Sequence, residues 1–390
     1  MRLLHVAQIS FLLDPLQRTA ARILEDWWPL VDCAEMVERT GVRVSVVQAC
    51  RTPDRVTHRG VEYHFVAPDR GRSLIARSRS FAALMQALKP DVLHVHGLEF
   101  PLEVLELAAL APATPILLQD HGSAVPRFWR LRSQRRALSV AAGVSFCARE
   151  QAKPFLEARL IRAPTVVFEI PECSSRFTPG DRDAARAVTG LHGDPAVLWV
   201  GHLDENKDPV TMLAGISSAA RELAGLQLWC CFGKAPLQAV VRRRIDEDPQ
   251  LRGRVHLLGR VPHERIETLM RAADLFVLGS HREVMSCSVM EALACGLPPV
   301  VTDIPPFRTL TGTGTVGALW PCADVAALSR ALLSVAAHPR EDTRGAVRAH
   351  FDRELSFAAV GRALAAAYDR LLQGTELRNG GPQLRLQRAR

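Results

Sequence analysis

The chain has 390 residues, 48% of them hydrophobic and 23% charged, with a net charge of +8. These values exclude disordered and fibrous classes, and the length suits two or three domains. A membrane-spanning helix is excluded too, because no stretch approaches ~18 uninterrupted apolar residues.

From the start of the chain, Leu3–Ile9 reads as a buried first strand. A signal peptide fits less well there, since His5 and Gln8 interrupt the apolar run and no small-residue cleavage site follows. Further buried strands are expected at Val42–Ala49, Asp91–His96, Pro115–Gln119, Gly143–Cys147 and Thr165–Ile170. These runs are rich in β-branched residues, show no hairpin turns and are mostly separated by helix-length segments. That is the pattern of a parallel sheet covered by helices on both faces.

Pro171–Asp183, PECSSRFTPGDRD, is polar and turn-rich and reads as an interdomain linker. The pattern then restarts, with strands expected at Val197–Val200, Leu226–Phe232, Val255–Leu258, Leu275–Leu278 and Pro299–Thr302. A last helix is expected over Ser356–Leu372, with Phe357, Val360, Leu364, Tyr368 and Leu371 on one apolar face. The fold class is α/β, with two doubly wound Rossmann-like domains in series. The domains are placed at 1–175 and 176–355, the final helix at 356–373 and a disordered basic tail at 374–390.

Nine cysteines are scattered without a C-x-x-C pair. This argues for free thiols in a reducing compartment, hence a cytoplasmic protein. The charge of +8 suits anionic small molecules or a membrane surface and does not require nucleic acid. Only four lysines occur against 45 arginines, so a lysine at a motif position is unexpected by chance.

The most informative stretch is Gly279–Pro305, GSHREVMSCSVMEALACGLPPVVTDIP. A strand ends near Leu278, a loop carries Glu283, and a short helix starts after Ser288 and ends at Gly296. Glu291 lies eight residues after Glu283. A strand–loop–helix junction at the carboxyl end of a parallel sheet is where ligands bind in such folds, and a helix N-terminus suits a diphosphate. Ser288-x-x-Glu291 also matches a capping box, in which Glu291 would serve only backbone donors. In Leu198–Pro209, LWVGHLDENKDP, Gly201 permits close backbone approach and Lys207 can neutralise a phosphate. Two D-x-D matches, Asp181–Asp183 and Asp246–Asp248, lie in a linker and a charged stretch and are not read as metal sites. Gly312–Gly317 spells G-x-G-x-x-G but follows no clear strand and opens no immediate helix, so it reads as a turn. His94 and His96 share a strand face without an evident third metal ligand and read as hydrogen-bonded. Pro126–Ala137, PRFWRLRSQRRA, carries five arginines with Phe128 and Trp129 and no acid. It is either a solvated helix or a contact for anionic lipid or acceptor.

With VGHLDENKDP, LLGRVPHERIETLMRAADLFVLGS and REVMSCSVMEALACGLPPVVTDIP in place, the chain resembles the retaining family 4 glycosyltransferases, also called glycosyl transferases group 1. The likeness is strong over about 195–335 and weaker but continuous through PDVLHVHG, LLQDHGS, AAGVSFCARE and RFTPGD. It implies a GT-B fold, two domains facing a central cleft with the last helix crossing back to the first. It also implies sugar transfer from a nucleoside-diphosphate sugar to a hydroxyl of a glycan, glycolipid or small acceptor, as in surface glycan, exopolysaccharide or glycolipid synthesis. By the same resemblance Glu283 and His121 lie at the reacting sugar, Glu291 binds the ribose and Lys207 the diphosphate. Gly201, His202 and the backbone of Met285, Ser286, Cys287 and Ser288 line the donor, and Arg260 and Val261 contact the base. No metal or cofactor is implied, and contact with an anionic inner membrane face is compatible with the charge. The chain departs from the family at His202, where arginine is usual, and at Val284, where glycine is frequent. It also departs in Ile9–Ala21, which lacks a glycine pair, and at Glu172-Cys173, where many members have Asn-Gly. A GT-B-fold sugar-nucleotide epimerase and a non-catalytic partner in a glycan assembly complex are the alternatives.

Overall fold

The computed structural model describes residues 3–14, 16, 18–69, 74–127, 129–338 and 340–378. The chain divides into two compact units. One comprises Met1–Cys173 with the segment from Phe357 onward; the other is Ser174–Ser356.

The first unit is built on β1 (His5–Ser10), β2 (Arg43–Ala49), β3 (Asp54–His58), β4 (Val61–Val66), β5 (Val92–His96), β6 (Ile116–Gln119), β7 (Gly143–Phe146) and β8 (Val166–Glu169). They form one sheet in the order β3-β4-β2-β1-β5-β6-β7-β8. Successive residues enter opposite layers: Val6, Val92 and Leu117 join one apolar cluster, while Ala7, Leu93 and Leu118 join the other. A sheet covered on both faces needs apolar residues at odd and even positions alike, which is why these strands read as unbroken apolar runs.

The expectation of a sheet without hairpins is corrected by β3 and β4, which pair antiparallel through the turn at Arg59-Gly60. Both turn residues have positive φ, 49° and 87°, the geometry of a tight hairpin turn. Arg59 is held there by ion pairs to Asp32 at 2.9 Å and Glu35 at 3.2 Å. The strand β3 is an exposed edge of polar residues and presents no apolar run to detect.

The second unit has β9 (Ala196–Gly201), β10 (Gln227–Phe232), β11 (Val255–Gly259), β12 (Leu275–Leu278), β13 (Pro299–Thr302) and β14 (Ala318–Trp320), ordered β11-β10-β9-β12-β13-β14 with all pairs parallel. Strand β14 is a further element that the sequence reading lacked. The G-x-G-x-x-G run is the turn into it: Gly312 ends the helix Pro305–Thr311 in the left-handed region. At the sheet's other end, buried Asp274 accepts from Arg186 at 2.8 Å and from the Ala196 backbone at 2.8 Å. The D-x-D acids have local tasks, since Asp181 caps the helix Arg182–Thr189 and Asp248 accepts from the Gln250 backbone.

The last helix runs from Phe357 to Arg378, past the expected end at 373. The rest of the expected tail, 379–390, lies outside the described residues. Val360, Leu364, Ala367, Tyr368 and Leu371 bury into the first unit's core, and Phe357 meets Trp28 edge-on at 6.1 Å. This helix crosses Trp28–Glu38 so closely at Gly361 that a Cβ there would lie 2.8 Å from the Met36 backbone. By contrast, Gly345 in the exposed helix Arg340–His350 has nothing within 4 Å of such a Cβ. Gly361→Ala should therefore cost ~1–3 kcal/mol of stability as the helices are pushed apart. Gly345→Ala should gain ~0.5–1 kcal/mol. Chemical denaturation of the two variants beside the parent protein checks both signs.

Candidate active site

In the second unit the chain winds outward from β9 to β11 and then returns to the other flank of β9 with β12. The winding reverses between β9 and β12, and ligands bind beyond the carboxyl ends of strands at such a reversal. Lys207 follows β9 and Glu283 follows β12, and the structure joins them in an ion pair between largely buried side chains. Gly201 lies beneath the lysine stem, where a Cβ would be 3.7 Å from Lys207 Cγ.

Around that pair the two loops are stitched together. The Asn206 side-chain amide donates to the Arg282 carbonyl at 3.0 Å, and its oxygen accepts from the Arg282 N–H at 3.1 Å. The His281 N–H donates to the Asn206 carbonyl at 2.8 Å. His281 Nε2 lies 2.9 Å from Asp208, whose other oxygen caps the helix Pro209–Ala219 through the Thr211 N–H. An aspartate immediately before a helix-starting proline is a cap signal visible in NKDP. The stitching by Asn206 and His281 has no such signature.

The short helix spans Cys287–Ala294, beginning one residue before Ser288, with Ser286 at its N-cap. Ser288 thus lies within the helix, which excludes the capping box. Glu291 instead takes a hydrogen bond from His263 Nε2 at 2.6 Å. His263 begins the helix His263–Ala272, directly after Arg260 and Val261, so this bond ties the loop leaving β11 to the short helix. Met285 and Ser286 are buried, while Cys287 and Arg260 are exposed. First-turn N–H groups of a helix have no intrahelical acceptor and favour an anion. His202 is drawn toward β10: its Nδ1 accepts from the Lys234 N–H at 3.3 Å.

In the first unit, His121 sits just past β6. Asp120 accepts from the Gly122 and Ser123 N–H groups at 3.2 and 2.8 Å. That turn is closed by Gly122 at a φ of 93°, and it presents the imidazole. His121 Nδ1 lies 2.5 Å from Glu172 Oε2, and its Nε2 lies 3.0 Å from His96 Nδ1. His94 lies 2.8 Å from the Tyr368 hydroxyl, so both strand histidines are hydrogen-bonded. Burial pushes His94 down to about 3 and holds His96 well below its ordinary value, so both stay neutral. His121 also lines a cavity of about 890 Å³, with Phe11, Leu98, Glu99, Ser123, Arg127 and Arg130 among its walls. The helix Trp129–Val140 buries Gln134, Ala137 and Leu138 and exposes Arg130, Arg132 and Arg136; Phe128 of that stretch lies outside the described residues.

Residues 181–349 match the family model described as glycosyl transferases group 1, and residues 30–171 match glycosyltransferase family 4. The chain belongs to these glycosyltransferases. A D-inositol 3-phosphate glycosyltransferase of Geodermatophilus obscurus is 32% identical over 52% of this chain and 49% of that protein. A 2-deoxystreptamine N-acetyl-D-glucosaminyltransferase of Streptomyces fradiae is 28% identical over 76% of this chain and 73% of its own length. The chain thus spans about half the length of the inositol phosphate glycosyltransferases that it matches. Among solved structures, sucrose-phosphate synthase from Thermosynechococcus elongatus superposes with a TM-score of 0.64 at 18% identity. It covers 95% of this chain and 100% of its own. The catalytic domain of starch synthase IV from Arabidopsis thaliana, bound to ADP and acarbose, gives a TM-score of 0.65 at 14% identity over 95% and 100% of the two chains. The family has the GT-B fold. No helix among the described residues is long and apolar enough to cross a membrane.

The hydrogen bond to Glu291 raises His263 above its ordinary 6.5, against the opposing effect of burial. A raised folded-state value stabilises the fold fully below the unfolded value and ceases to do so as pH rises through the folded one. Thermal melts should therefore show wild type more stable than His263→Gln at about pH 6, with the gap closing by about pH 8.5. An equal gap at both would remove the charged bond from this loop.

Proposed function

We propose that the chain transfers a sugar from a nucleoside-diphosphate sugar to a hydroxyl acceptor, with retention at the anomeric carbon. The observation that carries this reading is the Lys207–Glu283 pair at the reversal between β9 and β12, beside the start of the helix Cys287–Ala294. Lys207 and the first-turn N–H groups of that helix are positive and meet a diphosphate. Glu283 takes hydroxyl hydrogens of the sugar, and Glu291, held in place by His263, takes those of the ribose. The loop at Arg260 and Val261 borders the base.

In the reaction the bond from the anomeric carbon to the diphosphate oxygen breaks, and a bond to the acceptor oxygen forms. Negative charge grows on the departing phosphate, and fixed positive groups aimed at it lower the barrier. The acceptor proton passes to that phosphate oxygen, and His121 lies at the reacting sugar. Because Lys207 and the helix supply the positive charge, this reading needs no metal.

The acceptor in this reading is a polyhydroxylated ring. Both relatives are named for such rings, inositol phosphate and 2-deoxystreptamine. The cavity beside His121 offers Glu99 and Ser123 for hydroxyls and Arg127 and Arg130 for an anionic substituent. The exposed arginines of the helix Trp129–Val140 suit peripheral contact with an anionic membrane.

Thermal shift with UDP, GDP and ADP, in EDTA, tests the donor site. A nucleotide at ~100 times its Kd adds ~2.7 kcal/mol, or roughly 5–10 °C in a domain of this size. One nucleotide should stabilise wild type, and Lys207→Ala and Glu291→Ala should each lose most of that shift. Absence of a shift with all three, or an undiminished shift in both variants, would overturn the assignment.

A further inference from the structure

Three imidazoles and one carboxylate form a line through the first unit. His94 and His96 stack at 4.5 Å between ring centroids, and His96 and His121 at 5.3 Å. Glu172, just past β8, closes the line at His121 Nδ1, 2.5 Å away. None of the family's expected roles uses Glu172, and many members have asparagine there.

An ionised carboxylate only accepts hydrogen bonds. Glu172 therefore places a proton on His121 Nδ1 and leaves Nε2 toward His96. His96 is kept neutral by burial, and a neutral imidazole meets either state of its neighbour: it donates to an Nε2 lone pair or accepts from an Nε2–H. Any positive charge carried by the stack then rests on His121, opposite the Glu172 carboxylate. The remaining groups facing this point are fixed in other tasks. Asp120 is buried, shifted upward by that burial and committed to the Gly122 and Ser123 N–H groups. Glu99 accepts from the Ser123 hydroxyl at 3.1 Å. The thiol of Cys33, from the helix Trp28–Glu38, lies 3.9 Å from the Glu172 carbonyl and is pushed upward by burial. An asparagine oxygen would accept the same Nδ1 proton but bring no charge to face an imidazolium.

We propose that Glu172 is the positioning residue of His121: it fixes the imidazole's tautomer and ring plane and supplies the counter-charge for its protonated form. The consequence for transfer rests on the reading that His121 lies at the reacting sugar. The Glu172–His121 contact itself does not.

The test uses the full-length protein labelled with 15N-histidine, without substrate, and reads the His121 tautomer from its two ring nitrogen shifts at about pH 8. In wild type, His121 should be protonated at Nδ1. Glu172→Ala should lower the ratio of Nδ1–H to Nε2–H forms at least tenfold, and Glu172→Asp should restore part of it. Glu172→Gln, nearly isosteric, guards against misfolding. Its amide can accept or donate, so the ratio should fall there too while His256, His263 and His281 keep their wild-type shifts. An Nε2–H tautomer in the wild type, or a ratio unchanged in both the alanine and glutamine variants, would overturn the proposal. Nucleotide binding does not enter this readout, so failure of the donor site and failure of the Glu172 assignment are separately visible.

Discussion

A parallel sheet with helices on both faces leaves little room for a charged side chain along its strands. The burial strings of β1, β7, β12 and β13 are unbroken, and an unpaired charge there would cost several kcal/mol. Polar chemistry is therefore pushed to the loops beyond the strand ends. The reversal of winding decides which loops spread apart to admit a ligand. Lys207, Glu283 and the start of the helix Cys287–Ala294 all sit at such ends in the second unit, and His96 at one in the first.

Within those loops, acids and bases are arranged as partners: Lys207 with Glu283, His263 with Glu291, His281 with Asp208, His121 with Glu172. Each carboxylate is thereby held in one orientation before anything binds, and fixed dipoles and charges act on a developing charge without reorganising. Three of these pairs involve histidine, so the site's charge pattern is responsive near neutral pH in a way that an arginine-based site would not be.

Much of this was legible in the sequence, for an identifiable reason. Strands buried on both sides announce themselves as apolar runs, so β12 and β13 were placed to the residue. The edge strand β3, polar and half-exposed, carries no such pattern, and β14 is only three residues long. Lys207 and Glu283 stood out through their spacing from strand ends and the scarcity of lysine. What spacing cannot encode is contact between distant segments. His263 lies 28 positions from Glu291, and Glu172 lies 51 from His121. Ser288-x-x-Glu291 shows the converse, a local motif whose acid is claimed by a remote residue.

The return of the last helix to the first unit bears on how the chain is made. The second unit is continuous in sequence, so all of its residues have emerged from the ribosome before the final helix does. The first unit begins earlier yet stays incomplete: Tyr368, whose hydroxyl meets both Gln8 and His94, joins it about 270 residues after β5 is made. Until then the sheet face that receives Val360, Leu364 and Leu371 is uncovered apolar surface. During synthesis the unit that starts the chain is thus the last to close, and a nascent chain stalled near residue 356 would present a finished second unit beside a first one exposed to aggregation.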